Sequence, residues 1–285
     1  MSRLRIVSYN IHKGRSAVLS RASLNQLRLG LHGLAPDLLF LQEVQGRNDR
    51  LGVLDAQHES LAAALGLQLA YGRNAIRRHS EHGNALLSRF PVLGHENQDI
   101  SDHRLEQRGL LHVQVQIGDH EVHCFVVHLG LFAFSRTRQA EAMIQRIDEL
   151  VPAHCPILIA GDFNDWHDNL SAELIRRLQV HEVFATAPRS GGGMPPLRES
   201  LAWMRGSLKS AYGTGMERAA APRLGSGSQA LAARPPRTFP AALPWFRLDR
   251  IYQRGFAVRN ARVLRGKPWT SLSDHAPLLA DLELP

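Results

Sequence analysis

The chain has 285 residues, 44% of them hydrophobic, and a formal net charge of +8 with a pI near 10.3. Its length allows a large core within one α/β domain, and its basic balance points to anionic partners: nucleic acid, phosphorylated small molecules or an anionic membrane surface. The 2 cysteines, in the apolar strand-like contexts VHCFVV and HCPILI, favour buried free thiols in a reducing compartment over a disulfide framework.

The N-terminal run MSRLRIVSYNIHKG enters a β-rich segment directly, with no apolar h-region and no small-residue cleavage site, so a cytoplasmic protein is expected. Leu4 to Tyr9 reads as a strand. Ala22 to Leu34 carries Leu24, Leu27, Leu31 and Leu34 at helical spacing and closes at Ala35-Pro36-Asp37. Leu38 to Leu41 is a buried strand, Ser60 to Leu65 a short helix ending at Gly66, and Leu67 to Tyr71, Asn84 to Ser88 and Leu110 to Ile117 are strands. His123 to Val127, Ser135 to Leu150 and Pro156 to Ala160 read as strand, helix and strand. Leu248 to Tyr252, Val258 to Val263 and Ala276 to Leu284 complete a set of strands. Many strands with a few helices between them predict two mixed sheets packed together with helices outside. No apolar run approaches the roughly 20 residues that span a bilayer, so no transmembrane segment is expected.

From 188 to 237 the composition shifts to Gly, Pro, Ser, Ala and Arg, with eight basic side chains against two acidic ones, which makes it the source of most of the net charge. A stretch so long and irregular reads as an insertion, a functional loop or a disordered one, within a single 1–285 domain. Inside it Leu197, Leu201, Trp203, Met204, Leu208 and Tyr212 fall near one helical face with Arg198, Arg205 and Lys209 elsewhere. Such a basic amphipathic helix over 197–212 packs on its parent domain or makes a peripheral membrane or substrate contact.

Several strands end in isolated polar residues. In ILIAGDFND, residues two apart share a strand face, so Asp162 and Asn164 project together while Phe163 returns to the core and Asp165 serves the turn. An Asx turn alone would explain that segment. However, YNIH places Asn10 and His12 two apart after the first strand, LLFLQEV ends in Glu43, and CFVVHLG carries His128. FRLDRIY sets Asp249 among apolar neighbours, and SDHAP brings Asp274 and His275 before the last strand. A carboxylate at the end of a buried strand is costly unless paired or bound to metal, and carboxylates beside carboxamides suit a hard cation or a phosphate.

The ordered set SYNIHKG, LQEV, HGNALLSRFPV, VVHLG, AGDFND, RLDRIY and SDHAPL resembles the endonuclease/exonuclease/phosphatase superfamily, of DNase I-like fold, over Arg3 to about Ala187 and Thr238 to Leu284. With YGRNA, GDFNDW and RTFP the likeness narrows to the bacterial YbhP-like branch. The resemblance implies a four-layer α/β sandwich and hydrolysis of a phosphoester by an in-line water with Mg²⁺ or Mn²⁺. It implies Asn10, Glu43 and Asp274 at the metal, and His275 as base or transition-state stabiliser oriented by Asp249. Asp162 then activates the water or protonates the leaving group, and Asn164 and His128 contact the phosphate. Arg108 aligns with a phosphate-contacting arginine in some relatives, Asn84 is a further polar contact, and His12 replaces an acidic metal neighbour. The implied substrate is a phosphodiester, with nucleic acid as a candidate. The alternatives are a phosphatase or a phospholipid-headgroup phosphodiesterase working at the membrane surface, and a non-catalytic anion-binding module.

Overall fold

The computed structural model describes residues 2–14, 22–48, 56–104, 106–188 and 235–284. The 197–212 helix and most of the basic insertion lie outside them. The described strands are β1 (Ser2–Asn10), β2 (Leu38–Asn48), β3 (Gln68–Arg77), β4 (Ser80–Ser88), β5 (Val92–Asp99), β6 (Gly109–Ile117), β7 (His120–His128), β8 (Ile157–Asp162), β9 (His181–Glu182), β10 (Asp249–Arg254), β11 (Ala257–Val263) and β12 (Leu278–Leu284). The helices are α1 (Ala22–Leu34), α2 (Gln57–Leu65), α3 (Ala133–Leu150), α4 (Ser171–Leu178), α5 (Val183–Thr186) and α6 (Trp269–Leu272), and His12–Gly14 forms a 3₁₀ turn.

Two six-stranded mixed sheets result, in the orders β11-β12-β1-β2-β4-β3 and β5-β6-β7-β8-β10-β9. Each has one parallel pair at its centre, β1 with β2 and β7 with β8, and antiparallel neighbours elsewhere. The two parallel pairs are joined through α1 and α3, so both crossovers are βαβ units. Three apolar cores divide the layers. One lies between the sheets and takes Ile6, Phe40, Leu86, Cys124, Val126, Leu158, Ala160 and Ile251. A second joins the β7-β8 sheet to α3 and α4, and a third joins the β1-β2 sheet to α1, α2 and α6. This is the expected sandwich, helices outside and sheets inside. Among the described residues no helix is long and apolar enough to cross a membrane.

Strand alternation explains how each sheet serves two cores. In β1 Ile6 faces the inter-sheet core while Val7 and Tyr9 face the helices, and in β8 Leu158 and Ala160 face inward while Ile157 and Ile159 face α3. Gly161 lets β8 lie close against β7 just before the strand ends: it sits at φ 151°, and a Cβ there would meet the Val127 carbonyl oxygen at 1.9 Å. Cys124 is a buried free thiol as expected, but Cys155, also free, is only half-buried, because it lies in the turn before β8 rather than in the strand.

A polar tie crosses between the sheets at Asn84. This residue is fully buried, and its side-chain amide donates to the carbonyls of Gly109 at 3.0 Å and Val126 at 3.2 Å. The expected phosphate contact is therefore corrected: both amide hydrogens are already given to backbone, and the remaining oxygen cannot donate to a phosphate. Asn84→Ala should lower the unfolding free energy by about 1–3 kcal/mol, since two buried carbonyls lose their donor. Urea unfolding of wild type and variant at one pH measures this, and an unmoved midpoint would remove the tie from the stability of the fold.

Candidate active site

The inward-facing row of each central strand changes from apolar to polar at the same end of the sandwich. Ile6 and Ser8 lead to Asn10, Cys124 and Val126 to His128, Leu158 and Ala160 to Asp162, while Ile251 is two residues from Asp249. Registers align these ends: His128 pairs with Asp162 across β7 and β8, and Asp249 pairs with Asp162 across β10 and β8. Carboxyl ends of parallel strands are the usual place for a ligand in an α/β sheet, and here two such sheets place theirs face to face.

Glu43 reaches this face by a different device. Leu39, Leu41 and Val44 all face the helices, so regular alternation would put Glu43 among them. Instead Leu41 pairs with Ala85 and Val44 with Gly83, leaving Gln42 and Glu43 opposite one residue, and Glu43 adopts φ 52°. This β-bulge re-aims the carboxylate. The Asn10 amide nitrogen lies 3.5 Å from Glu43 Oε1, and Lys13 Nζ lies 3.1 Å from Glu43 Oε2. Burial opposes ionisation of Glu43, but the surrounding positive charge, with Lys13 on the carboxylate itself, outweighs it and brings the pKa down to about 2.

Asp162 Oδ2 is the point of convergence. Asn10 donates to it at 3.1 Å, His275 Nε2 lies at 3.6 Å and His128 Nε2 at 3.7 Å. The other ring nitrogen of His275, Nδ1, bonds Asp249 Oδ2 at 2.9 Å. Burial disfavours a charged His275, yet the carboxylates of Asp249 and Asp162 raise its pKa to about 10. Burial and the Asp249 charge push Asp162 up to about 6, against the pull of His275. His128 is driven well below its ordinary value by burial and by the Arg108 charge, so its ring is neutral at pH 7.

The expected residues do not all converge. Asn10, Glu43, His128, Asp162, Asp249 and His275 form the cluster. Asp274 stands at its rim, paired with His12 Nδ1 at 3.0 Å, and that hydrogen bond raises the His12 pKa. Asn164 has left strand geometry (φ 50°), its backbone N–H donates to Asp162 Oδ1 and its amide donates to the Leu129 carbonyl at 2.9 Å. It therefore fixes the Asp162 carboxylate, and alternation does not extend to it. Asp165 serves the turn, accepting from the backbone N–H groups of Asn169 and Leu170. Arg108 lies close enough to influence His128 and His82, bonds Glu106 at 3.3 Å, and keeps a buried Nε–H without a partner among the described residues.

Three site-lining residues escape the sequence reading. Lys13 gives Glu43 its counter-charge, and His82, brought down to about 4 by burial and Lys13, stands near Glu43 and Arg108. Gln42 pairs with Asn10 in register, is fully buried, and has neither amide atom partnered among the described residues. Lys13, Gln42 and His82 all sit inside the quoted motifs NIHKG, LQEV and HGNALL, which was the available signal.

The donor set fits a hard divalent cation. Glu43 is ionised, the Asp249 Oδ1 atom is buried without a partner among the described residues, and one ligand atom each from Asp162, Asp249 and His275 lie within 4.8 Å of one another, although His275 could ligate only after losing its proton. Asn10 fits less well as a ligand than expected, because its oxygen already accepts from the His12 backbone N–H at 3.1 Å.

The sequence model of the Endonuclease/Exonuclease/phosphatase family matches residues 7–275. The Escherichia coli (strain K12) protein YbhP is 32% identical over 288 residues, spanning 98% of this chain and 96% of its own length. The crystal structure of an endonuclease/exonuclease/phosphatase from Bacteroides vulgatus superposes with TM-score 0.70 at 17% identity, covering 100% of both chains. That of D. rerio TDP2 complexed with a single-strand DNA product superposes with TM-score 0.64 at 17% identity, covering 99% of this chain and 100% of that one.

The Asp249–His275 pair yields a titration test. A raised His275 pKa contributes stability that is complete below about 6.5 and is lost as pH rises through about 10. In metal-free protein, Asp249→Asn should lower the His275 midpoint by roughly 1–3 pH units and remove most of that stability near neutrality. NMR titration of the His275 ring protons reads the midpoint directly. A midpoint unchanged by the substitution would mean that Asp249 does not govern the ring.

Proposed function

The chain belongs to the endonuclease/exonuclease/phosphatase family, and from that premise we propose that it is a divalent-metal-dependent phosphodiester hydrolase of nuclease type. The observation that carries this reading is the meeting of Asn10, Glu43, His128, Asp162, Asp249 and His275 at one polar end of two packed sheets. Glu43, with Asn10 beside it and Asp274 across His12, would hold Mg²⁺ or Mn²⁺. When bound, that ion neutralises charge on the phosphoryl oxygens.

The remaining roles belong to side chains. His275, kept protonated by two carboxylates, donates Nε2–H to a phosphoryl oxygen rather than acting as a base. Asp249 fixes its tautomer and ring plane through Nδ1. Asp162, made more basic than an ordinary carboxylate by burial and the Asp249 charge, accepts the proton of the attacking water. Asn10 and the Asn164 backbone hold its two oxygens in place. Neutral His128 and the Arg108 Nε–H, unpartnered among the described residues, add donors to the same phosphate. A polyanionic substrate accords with the charge of +8.

Hydrolysis of bis-p-nitrophenyl phosphate with Mg²⁺, Mn²⁺ or EDTA tests the assignment. Turnover should require the metal, and Asp162→Asn and His275→Ala should each reduce kcat by roughly 10²–10⁴-fold. Turnover that persists in EDTA, or a His275→Ala enzyme as fast as wild type, would refute it.

A further inference from the structure

Exposed aromatic side chains collect along one edge of the site. Phe239 lies 4.9 Å from the His275 ring, Phe246 lies 6.4 Å from Phe239, and Trp166 lies 5.9 Å from Phe246, all between ring centroids. The row runs outward from a buried His275 to rings that are 46% exposed at Phe246 and 37% at Trp166. We propose that Phe239, Phe246 and Trp166 form a stacking track for unpaired nucleobases, so that the site takes single-stranded nucleic acid. This deepens the hydrolase reading above and rests on it.

The track is built onto the catalytic residues. Phe239 and Phe246 face each other across a small hairpin closed by the Thr238 N–H donating to the Phe246 carbonyl at 2.8 Å. That hairpin is anchored at both ends of its contact with the site. The Ala241 N–H donates to the Asp274 carbonyl at 2.6 Å, and the Ala276 N–H donates to the Thr238 carbonyl at 2.9 Å. Trp166 follows Asn164 and Asp165 in the turn after β8. Rings held this way do not have to be ordered on binding, so little conformational entropy is lost when a base stacks on them.

One feature favours bases over a hydrocarbon surface. The exposed Arg237 guanidinium stacks over the exposed Trp245 at 5.9 Å beside the row, while Arg136, 5.2 Å from the Trp166 ring, is buried beneath it and gives its N–H groups to the Gly130 and Leu131 carbonyls. Inserting such a face into lipid would bring charge with it, whereas alternating cationic and aromatic groups suit a strand of phosphates and bases. A paired, stacked duplex offers no free base faces to such a row, which selects single strands.

Fluorescence anisotropy of the full chain in EDTA, where hydrolysis is suppressed, separates the possibilities. A short labelled oligothymidylate is compared with an oligomer of equal length built from abasic units, which carries the same phosphates without bases. Wild type should prefer the thymidylate by roughly tenfold for each base stacked. Trp166→Ala and Phe246→Ala should each erode that preference and leave abasic binding unchanged, while Trp166→Phe and Phe246→Tyr should restore it. Equal affinity for the two oligomers overturns the proposal, as does a preference that survives both alanine substitutions. Binding to phosphatidylglycerol vesicles that these substitutions abolish, without any base preference, assigns the face to a membrane and also overturns it. The wild-type comparison needs no variant, so a variant that misfolds does not remove the test. Failure of the hydrolase reading would show separately, as absent metal-dependent turnover of bis-p-nitrophenyl phosphate.

Discussion

The hydrogen bond from Asn10 to Asp162 Oδ2 joins the polar ends of two different sheets, and the site depends on it. Asp162 is 2% exposed, and a carboxylate so buried is tolerated only with partners. Its partners come from β1, from the end of β7 and from the segment before β12, so they assemble only when both sheets have packed. The cluster Asp162, Asp249 and His275 still leaves one carboxylate charge in excess when the ring is protonated, and Asp249 keeps an unpartnered oxygen. An apolar filling of the same volume would serve stability as well or better. A buried cluster of perturbed carboxylates and histidines of this kind is a candidate for chemistry rather than for stability.

Backbone strain is concentrated in the same place. His12, Lys13, Glu43 and Asn164 all have φ between 44° and 57°, a left-handed conformation that costs a non-glycine residue about 1–3 kcal/mol. Three of the four positions have a structural reason. At Glu43 the bulge turns the carboxylate from the helical side to the inter-sheet side, and at Asn164 the turn brings a backbone N–H onto Asp162. Lys13 is held by Gln57, which donates to its carbonyl at 2.7 Å while accepting from the Gln45 N–H at 2.9 Å. The sequence in these segments is thus compatible with the site at the expense of local comfort.

Much of the fold is legible in the pattern of apolar residues, because strands buried on both faces read as continuous runs and α1 shows its leucines at helical spacing. What the pattern misses has identifiable causes. β5, VLGHENQD, is an edge strand with no fully buried residue, so it carries no apolar signature. α4 is short and signals itself only through Leu170, Leu174 and Leu178. In the site, alternation correctly predicts the inward direction of Asn10, His128 and Asp162, since their strands are regular. It fails for Asn164, beyond the strand end, and cannot foresee the Glu43 bulge. Asn84 looks like a ligand and acts as a cross-link because only the packed structure shows which carbonyls face it.

The aromatic row shows how composition and placement differ in what they predict. An aromatic content of 6% implies few stacking surfaces when spread over a chain, but folding brings Trp166 from the turn after β8 beside Phe239 and Phe246 from the hairpin before β10. The same backbone bonds that fix Phe239 also fix Asp274 and Ala276, which flank His275. A group lodged against Phe239 would therefore stand at a set distance from the His275 ring, because one hairpin carries the first and is bonded to the neighbours of the second. Under the proposed reading, recognition and chemistry would share one element, and geometry at a reacting phosphate would follow from what the aromatic edge accepts.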